Sequence, residues 1–499
     1  MRTSKITAQS LGGVTITGVN TSDKTTQFRG LRFATIEKRY DYPARVDSYP
    51  ENIDATQYGS IPPQPAQIVS PLIPSSQLPP PRPKADEFEC LNLNVMCPII
   101  VEKPLPVIVW IFPGGNYMGS ASDKAYDPTA FVERSIDKGM PVIFVNINYR
   151  LSLYGFLYMD GRANHGMYDQ LTALQWVKQH ISDFGGDPDN ITLMGESAGS
   201  LSTHYHSVNE KSKGLFRRIG MMSTVIEART PRPLDEAKEI VEKAKKVCGV
   251  ITDEELRTVP IDKLMEAIPI IGGMYGPVDE GGFAGEGPFI DKLPHSEIES
   301  IVLGNCRFEA KFYGPKIQQL VPINEFYSRL LEVPNVGTEF AEMYNIKPTE
   351  DEQNFTNTLV MYDDISYGQP VHNAVNGLRK SGIKTYHYLF DEPNPFLADL
   401  DAHHGVDVLY FFNSYKFDKK YDSFIDMYQT GWIRFANGLS PWGFLDCERD
   451  IENVVMLDQS IHERQEGEYE KRRHVEAFEW LNGYRGKFDS YHLTKRYLM

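Results

Sequence analysis

A serine at the centre of a Gly-x-Ser-x-Gly pentapeptide, residues 195–199, is the feature of the sequence with the clearest chemical meaning. The apolar run 191–194 before it predicts a buried strand, and a helix is expected to begin at about residue 200. Glycines on both sides of Ser197 allow the sharp strand-to-helix turn that exposes a nucleophilic hydroxyl at the end of a sheet. The pentapeptide alone is weak evidence, because an ordinary turn can contain the same residues.

Two later loops contain the residue types that an activated serine requires. A serine hydroxyl is a poor nucleophile unless a general base accepts its proton and a third group orients that base. Glu309 comes shortly after the predicted strand 301–304, and His403 and His404 lie in a loop after the predicted strand 385–390. Charged residues in loops are usually only solvated. In α/β folds with a nucleophilic serine after a strand, however, the catalytic groups occur along the chain in the order Ser, then Asp or Glu, then His.

A pair of adjacent glycines meets a further requirement, which is N–H donors for an oxyanion. Gly114 and Gly115 follow the predicted strand 107–112, and their lack of side chains allows their N–H groups to turn into a site. The N–H of Ala198, directly after the serine, is another candidate. We therefore expect these three N–H groups to form an oxyanion hole.

The elements that must position these residues predict a mostly parallel sheet. The runs 107–112 and 142–147 are continuously apolar, as in strands buried on both faces, and 14–19 and 91–96 alternate as strands do. Apolar residues at helical spacing between 169 and 184 predict a helix that ends at a pair of glycines. This succession is typical of an α/β fold with a large central sheet flanked by helices.

The length of 499 residues is compatible with one large α/β domain that has grown by insertion. The proline-rich stretch 58–84 lies between strand-forming segments, so we interpret it as a surface loop and not as a domain boundary. The segments at approximately 230–300 and 315–375 are amphipathic and charged, and we expect helical insertions there. We therefore predict a single domain over residues 1–499.

Composition restricts the class of protein. The net charge of −16 argues against nucleic-acid binding. No run reaches about 18 apolar residues, and the first residues lack the apolar core of a signal peptide, so we expect no membrane segment and a cytoplasmic location. The five cysteines form neither a disulfide framework nor a metal-type pair, and no phosphate-binding glycine loop occurs. We expect no metal and no cofactor.

Long segments of the sequence resemble the type-B carboxylesterases, the cholinesterase-like group of α/β-hydrolases. The most similar segments are 148–150, 154–157, 169–177, 184–190 and 195–199. Weaker similarity extends from residue 28 to residue 442, so nearly the whole chain is covered. The resemblance implies an α/β-hydrolase fold with helical insertions over the active site, no cofactor, and a small-molecule carboxylic ester as the substrate.

The resemblance also implies roles for individual residues. Ser197 matches the nucleophile, His404 the base and Glu309 the acid that orients the base. The oxyanion donors that it implies are Gly114, Gly115 and Ala198. Glu196 matches a glutamate that adjusts the electrostatics of the site, and Ser223 matches a serine adjacent to the catalytic groups.

The sequence departs from the family pattern at several positions. Pro113 stands where the family has the first of three glycines, and Asn116 replaces an aromatic residue, which predicts a polar group at the pocket wall. Cys90 matches a disulfide cysteine whose partner is missing near 61–62, in agreement with a reducing compartment. The loop 64–87 lacks the tryptophan that holds choline in cholinesterases, which argues against a choline ester.

The expected reaction is ester hydrolysis through an acyl-enzyme, and two other functions stay open. The same acyl-enzyme can pass its acyl group to an alcohol or amine, or open or close a lactone, if the pocket excludes water. A non-catalytic binding protein is the third alternative, since some relatives are adhesion molecules. The candidates for an acyl or alcohol pocket are aromatic, although isolated aromatic residues more often belong to the core or the surface: Tyr275, Phe283, Phe289, Tyr362 and Tyr367. The ester and the oligomeric state stay open.

Overall fold

The computed structural model of this protein covers most of the chain. The residues that it describes are 2–46, 48–65, 73–272, 275–281, 283, 292–293, 297–315, 322–333, 336–442, 454–458, 460–463 and 473–483. Within these ranges no helix combines the length and the apolar character that crossing a membrane requires.

Most of the described strands belong to one large sheet. The strands are β1 (Thr3–Ala8), β2 (Val14–Asn20), β3 (Thr25–Arg32), β4 (Ala34–Thr35), β5 (Ala44–Arg45), β6 (Asn52–Ala55), β7 (Asn92–Pro98), β8 (Leu105–Ile111), β9 (Ile143–Ile147), β10 (Gly186–Glu196), β11 (Arg218–Met222), β12 (Ser300–Cys306), β13 (Lys384–Phe390), β14 (Val454–Asp458) and β15 (Ser460–Glu463). The strands β4 and β5 pair only with each other, and the other strands form a 13-stranded sheet.

The order of strands in the large sheet is β1-β2-β3-β7-β9-β8-β10-β11-β12-β13-β14-β15, and β6 pairs with β2. All neighbours from β9 to β14 are parallel. The strands β1, β2, β3 and β7 join antiparallel on one side, and β15 joins antiparallel on the other. The predicted large, mostly parallel sheet is therefore confirmed.

Helices connect the parallel strands, as expected for a sheet that is buried on both faces. They are α1 (Thr129–Asp137), α2 (Ser152–Phe156), α3 (His165–His180), α4 (Ala198–Val208), α5 (Leu234–Cys248), α6 (Asp253–Thr258), α7 (Ile261–Ile271), α8 (Ile323–Leu331), α9 (Gly337–Met343), α10 (Glu352–Asp363), α11 (Gln369–Ser381), α12 (Val406–Phe412), α13 (Asp422–Ala436) and α14 (Val475–Asn482). The helix predicted over 169–184 corresponds to α3 and the 3₁₀ turn Ile181–Phe184 that follows it.

Two long crossovers contain additional helices. Helices α5, α6 and α7 lie between β11 and β12, and helices α8 to α11 lie between β12 and β13. Helices α10 and α11 are joined by a π-helical turn, Asp364–Gly368. A π-turn widens the helix by one residue and frequently occurs at functional sites.

A buried ion pair attaches the segment after β9 to helix α3. Arg150 Nη2 donates to Asp169 Oδ1 at 2.7 Å, and Arg150 Nε donates to Asp169 Oδ2 at 2.8 Å. The main-chain N–H of Arg150 also donates to Oδ2, at 2.9 Å. Both side chains are 0% exposed, so each charge depends on the other for its stabilisation.

The carboxyl ends of five adjacent parallel strands bring the predicted site residues to one edge of the sheet. Gly114 follows β8, Ser197 follows β10, Ser223 follows β11, and Glu309 follows β12. His404 lies in the loop between β13 and α12. Binding and catalytic groups of open α/β sheets collect at this edge, because the connections that leave it converge above the strands.

Candidate active site

Ser197 occupies a strained turn between β10 and α4. Its φ of +53° and ψ of −121° are unusual for a residue that has a Cβ atom. A Cβ on Gly195 would lie 2.3 Å from the carbonyl carbon of Gly199, and a Cβ on Gly199 would lie 2.0 Å from the carbonyl oxygen of Ile111. The turn therefore requires glycine at both flanking positions, and it presses the start of α4 against the end of β8.

Ser197, His404 and Glu309 form a continuous chain of hydrogen bonds. The Ser197 Oγ lies 2.8 Å from Nε2 of His404, and Nδ1 of the same ring lies 2.7 Å from Oε2 of Glu309. The other carboxylate oxygen, Oε1, accepts the N–H of Cys306 at 2.7 Å. In the tautomer that carries its proton on Nδ1, the ring donates a hydrogen bond to Oε2 of Glu309. Nε2 then accepts the serine hydroxyl proton.

Burial keeps the imidazole of His404 uncharged. The side chain is 7% exposed, and burial lowers its pKa to about 3. Asp407 acts on this pKa in the opposite direction and Arg229 in the same direction as burial. The neutral ring is the form that can take a proton from an alcohol.

Three buried carboxyl groups occur close to this imidazole, those of Glu196, Glu309 and Asp407. Burial raises the pKa of Glu309, although the N–H of Cys306 opposes the shift. Burial, together with Asp407 and Glu309, raises the pKa of Glu196 well above its ordinary value. Burial and Glu309 also raise the pKa of Asp407 to about 7. Glu196 Oε1 lies 3.2 Å from His404 Nε2, and a protonated Glu196 adds no charge beside the serine.

Ser223 lies next to two of these carboxyl groups. It begins the turn after β11 with a φ of +77°, and its N–H donates to the carbonyl of Gly304 at 2.8 Å. Its hydroxyl makes no hydrogen bond of normal geometry within the described residues. It is nevertheless close enough to lower the pKa values of Glu196 and Glu309. The structure thus brings both Glu196 and Ser223 to the Ser197–His404–Glu309 chain.

Gly114 and Gly115 form a tight turn directly after β8, with φ values of +108° and +64°. Strand β8 is parallel to β10, with Ile111 opposite Gly195, so this turn begins beside Ser197. A Cβ on Gly114 would lie 2.1 Å from the carbonyl oxygen of Met118, so that position requires glycine. The N–H groups of Gly114, Gly115 and Ala198 donate no hydrogen bond within the part of the chain that is described.

The side chain of Asn116, for which the sequence predicts a polar group at the pocket wall, is buried and hydrogen-bonded within the fold. The side chain is 2% exposed, its Nδ2 donates to the carbonyl of Tyr275 at 3.0 Å, and its Oδ1 accepts the hydroxyl of Tyr149 at 3.3 Å. Its carbonyl accepts the N–H of Ser152 at 2.7 Å. The residue after the glycine pair therefore anchors the turn from behind, which fixes the direction of its N–H groups.

Aromatic rings lie around the imidazole of His404. The ring centroid of Tyr367 is 5.1 Å away, that of Tyr313 is 5.6 Å away, and that of Phe312 is 6.3 Å away. Tyr367 was a candidate from sequence, whereas Phe312, Tyr313 and the carboxyl group of Asp407 were missed. Their positions in the sequence could have identified them as site residues, because each lies within four residues after Glu309 or His404.

Comparisons with known proteins agree with this architecture. Residues 4–453 match the family described as "Carboxylesterase family". The chain is 34% identical to Lipase 3 of Yarrowia lipolytica over 440 residues, which cover 83% of this chain and 85% of that protein. It is 29% identical to Lipase 1 of the same organism, over 99% of this chain and 98% of that protein. A solved carboxylesterase of Geobacillus stearothermophilus superposes with a TM-score of 0.75 at 24% identity, covering 94% of this chain and 99% of that chain.

Proposed function

The chain belongs to the carboxylesterase family. From this premise we propose that Ser197 is its nucleophile, His404 its base and Glu309 the acid that orients the base. The observation that supports these roles is the chain of hydrogen bonds from Ser197 through His404 to Glu309, with both heavy-atom distances below 3 Å. The associated groups lie at the same sheet edge, where an ester can approach the serine hydroxyl.

In the first half of the proposed reaction, Ser197 Oγ attacks the carbonyl carbon of the ester while Nε2 of His404 takes its proton. The carbonyl oxygen becomes an oxyanion, and the N–H groups of Gly114, Gly115 and Ala198 are the donors proposed to bind it. The imidazolium then gives its proton to the leaving alcohol oxygen as the carbon–oxygen bond breaks. An acyl group remains on Ser197, and Glu309 stabilises the transient positive charge on His404.

In the second half, water takes the place of the alcohol. Nε2 of His404 removes a proton from the water as its oxygen attacks the acyl carbon, and a second oxyanion forms in the same N–H environment. The proton returns from the imidazolium to Ser197 Oγ as the acyl bond to the enzyme breaks. The products are the free carboxylic acid and the unchanged serine.

The test combines turnover with covalent labelling of the serine. Ser197→Ala is expected to lower kcat for 4-nitrophenyl butyrate by about 10⁴-fold or more and to abolish labelling by a fluorophosphonate probe. Ser328→Ala is the matched control, because this serine lies exposed on α8, and it should keep both properties.

Chromatographic detection of free butyric acid, with and without added alcohol, distinguishes hydrolysis from acyl transfer. Retained turnover or retained labelling in Ser197→Ala would overturn the assignment of the nucleophile. A folded wild-type protein that neither turns over the ester nor reacts with the probe would instead indicate a binding function.

A further inference from the structure

Arg229 is a half-buried cation close to the proposed catalytic groups. It directly follows the 3₁₀ turn Ile226–Ala228, which leaves the sheet after β11, and its N–H donates to the carbonyl of Ile226 at 2.8 Å. Its own carbonyl accepts the hydroxyl of Tyr205 at 3.4 Å. The turn packs against the π-helical turn Asp364–Gly368 and against α11. The main chain is therefore fixed, and the side chain has a defined position.

Three tyrosines lie near the side chain of Arg229. The guanidinium is hydrogen-bonded to the hydroxyl of Tyr362, and after burial the groups with the largest effect on its pKa are Tyr362, Tyr367 and Tyr313. Burial lowers the pKa of Arg229, but these tyrosines more than compensate and raise it overall. Phenol groups are uncharged at neutral pH, so they donate and accept hydrogen bonds without neutralising the positive charge.

The same tyrosines connect Arg229 to the imidazole of His404. The ring of Tyr313 lies 6.5 Å from that of Tyr367 and 6.4 Å from that of Tyr362. The rings of Tyr367 and Tyr313 are also the two closest to His404. Tyr362 and Tyr367 are buried, whereas Tyr313 and Arg229 are partly exposed, so the cluster has an open side. Tyr313 joins this partly exposed side of the cluster to the imidazole of His404, which contacts Ser197.

The charge of Arg229 extends to the reacting groups. Burial is the main influence that lowers the pKa of His404, and the positive charge of Arg229 acts in the same direction. A guanidinium with phenolic hydroxyls beside it offers several donors in fixed directions, the arrangement that binds a carboxylate through charge-assisted hydrogen bonds. A neutral alkyl chain would contact the tyrosine rings of this wall but would make none of these hydrogen bonds.

We propose that Arg229, Tyr313, Tyr362 and Tyr367 form a subsite for a carboxylate group of the substrate, so that the enzyme prefers carboxylic esters that carry a second, ionised carboxyl group. This inference rests on the proposed function, because it places the subsite beside the proposed nucleophile. The second carboxylate belongs either to the acyl part, as in a half-ester of a dicarboxylic acid, or to the alcohol part.

The test compares anionic esters with neutral esters of matched size. Monobenzyl adipate and benzyl heptanoate differ in the charge of the acyl part, and 4-carboxybenzyl hexanoate and benzyl hexanoate differ in that of the alcohol part. Chromatography of the released alcohol gives kcat/KM for each. We expect wild type to favour the anionic ester of at least one pair by about tenfold or more at low ionic strength, and Arg229→Gln to remove most of that preference.

Matched variants separate the charge from general damage to the site. Arg229→Lys keeps the charge and should keep part of the preference, whereas Tyr362→Phe should reduce it by removing the hydroxyl that holds the guanidinium. Arg217→Gln removes an exposed arginine that pairs with Glu299, and it should leave the preference unchanged. If Arg229→Gln does not fold, Tyr362→Phe and the loss of the wild-type preference at 0.5 M salt test the same interaction.

Two results would overturn the inference. One is a wild-type enzyme that hydrolyses the neutral esters and shows no preference for either anionic partner. The other is a preference for the anionic ester that is unchanged in Arg229→Gln. If Arg229→Gln does not fold, the equivalent result is a preference that is unchanged both in Tyr362→Phe and at high salt. A wild-type protein that hydrolyses none of the four esters, while failing to react with the fluorophosphonate probe, would contradict the proposed function instead.

Discussion

Gly199→Ala is the substitution for which helix propensity and the structure predict opposite effects. Gly199 lies in the first turn of α4, where alanine is intrinsically more favourable than glycine by about 1 kcal/mol. The structure shows that the new Cβ would lie 2.0 Å from the carbonyl oxygen of Ile111, about 1.4 Å inside the 3.4 Å at which ordinary contact begins. Because the atoms that the new Cβ would meet are backbone, α4 and β8 must separate by about an ångström.

This separation should displace both the Ser197 hydroxyl and the N–H of Ala198 from the Gly114–Gly115 turn. A misplacement of about 1 Å can reduce the rate by about 100-fold, so we expect kcat for 4-nitrophenyl butyrate to fall by about that factor or more. Overpacking should also lower the free energy of unfolding by about 1–3 kcal/mol, measured by urea denaturation.

Gly139→Ala is the control for this substitution. Gly139 has a φ of +68°, and a Cβ added there would meet no atom within 4 Å, so alanine at this position creates backbone strain without a clash. It should lower stability by about 1–2 kcal/mol and leave kcat unchanged. Equal kcat values for wild type and Gly199→Ala would refute the reasoning that close contact between α4 and β8 positions the serine.

Three further substitutions test the electrostatics and the stability of the fold. Asp407→Asn should remove a rise in kcat/KM centred near pH 7, because the pKa of Asp407 is about 7 and its ionised carboxylate favours the imidazolium form of His404 that develops during the reaction; the same rise in the variant would contradict this. Asp169→Asn should lower the free energy of unfolding in urea by about 3–5 kcal/mol, because it leaves Arg150 buried without its counter-charge. Thr252→Ala should lower it by about 1 kcal/mol, since Thr252 caps α6 in a capping box, and a loss near zero would show that the cap does not matter.

Much of the sheet could be predicted from sequence because buried parallel strands are continuously apolar. The predicted strand 107–112 corresponds to β8 (Leu105–Ile111), and the predicted strand 142–147 corresponds to β9 (Ile143–Ile147). The order of Ser197, Glu309 and His404 along the chain was informative for a similar reason, since each follows a strand of the same parallel set. Local patterns suffice where a residue's position depends on the end of its own strand.

The surroundings of the imidazole could not be predicted in the same way. The three tyrosines come from the segment after β12, the end of α10 and the π-turn, and none of them lies at a spacing that identifies a common site. Arg229 is more than 80 residues from the nearest of them. The side chain of Asn116 turned inward because hydroxyl and carbonyl partners from Tyr149 and Tyr275 were available there. Such contacts depend on tertiary packing, which periodicity does not encode.

The positive φ of Ser197 also bears on how this protein could be engineered for heat resistance. Glycine adopts a φ of +53° with a ψ of −121° readily, whereas serine holds it against steric strain of about 1–3 kcal/mol. A library sorted only for survival at high temperature would therefore enrich glycine at position 197 and return well-folded, inert proteins. Any such screen therefore needs a measurement of enzymatic activity in every round of selection.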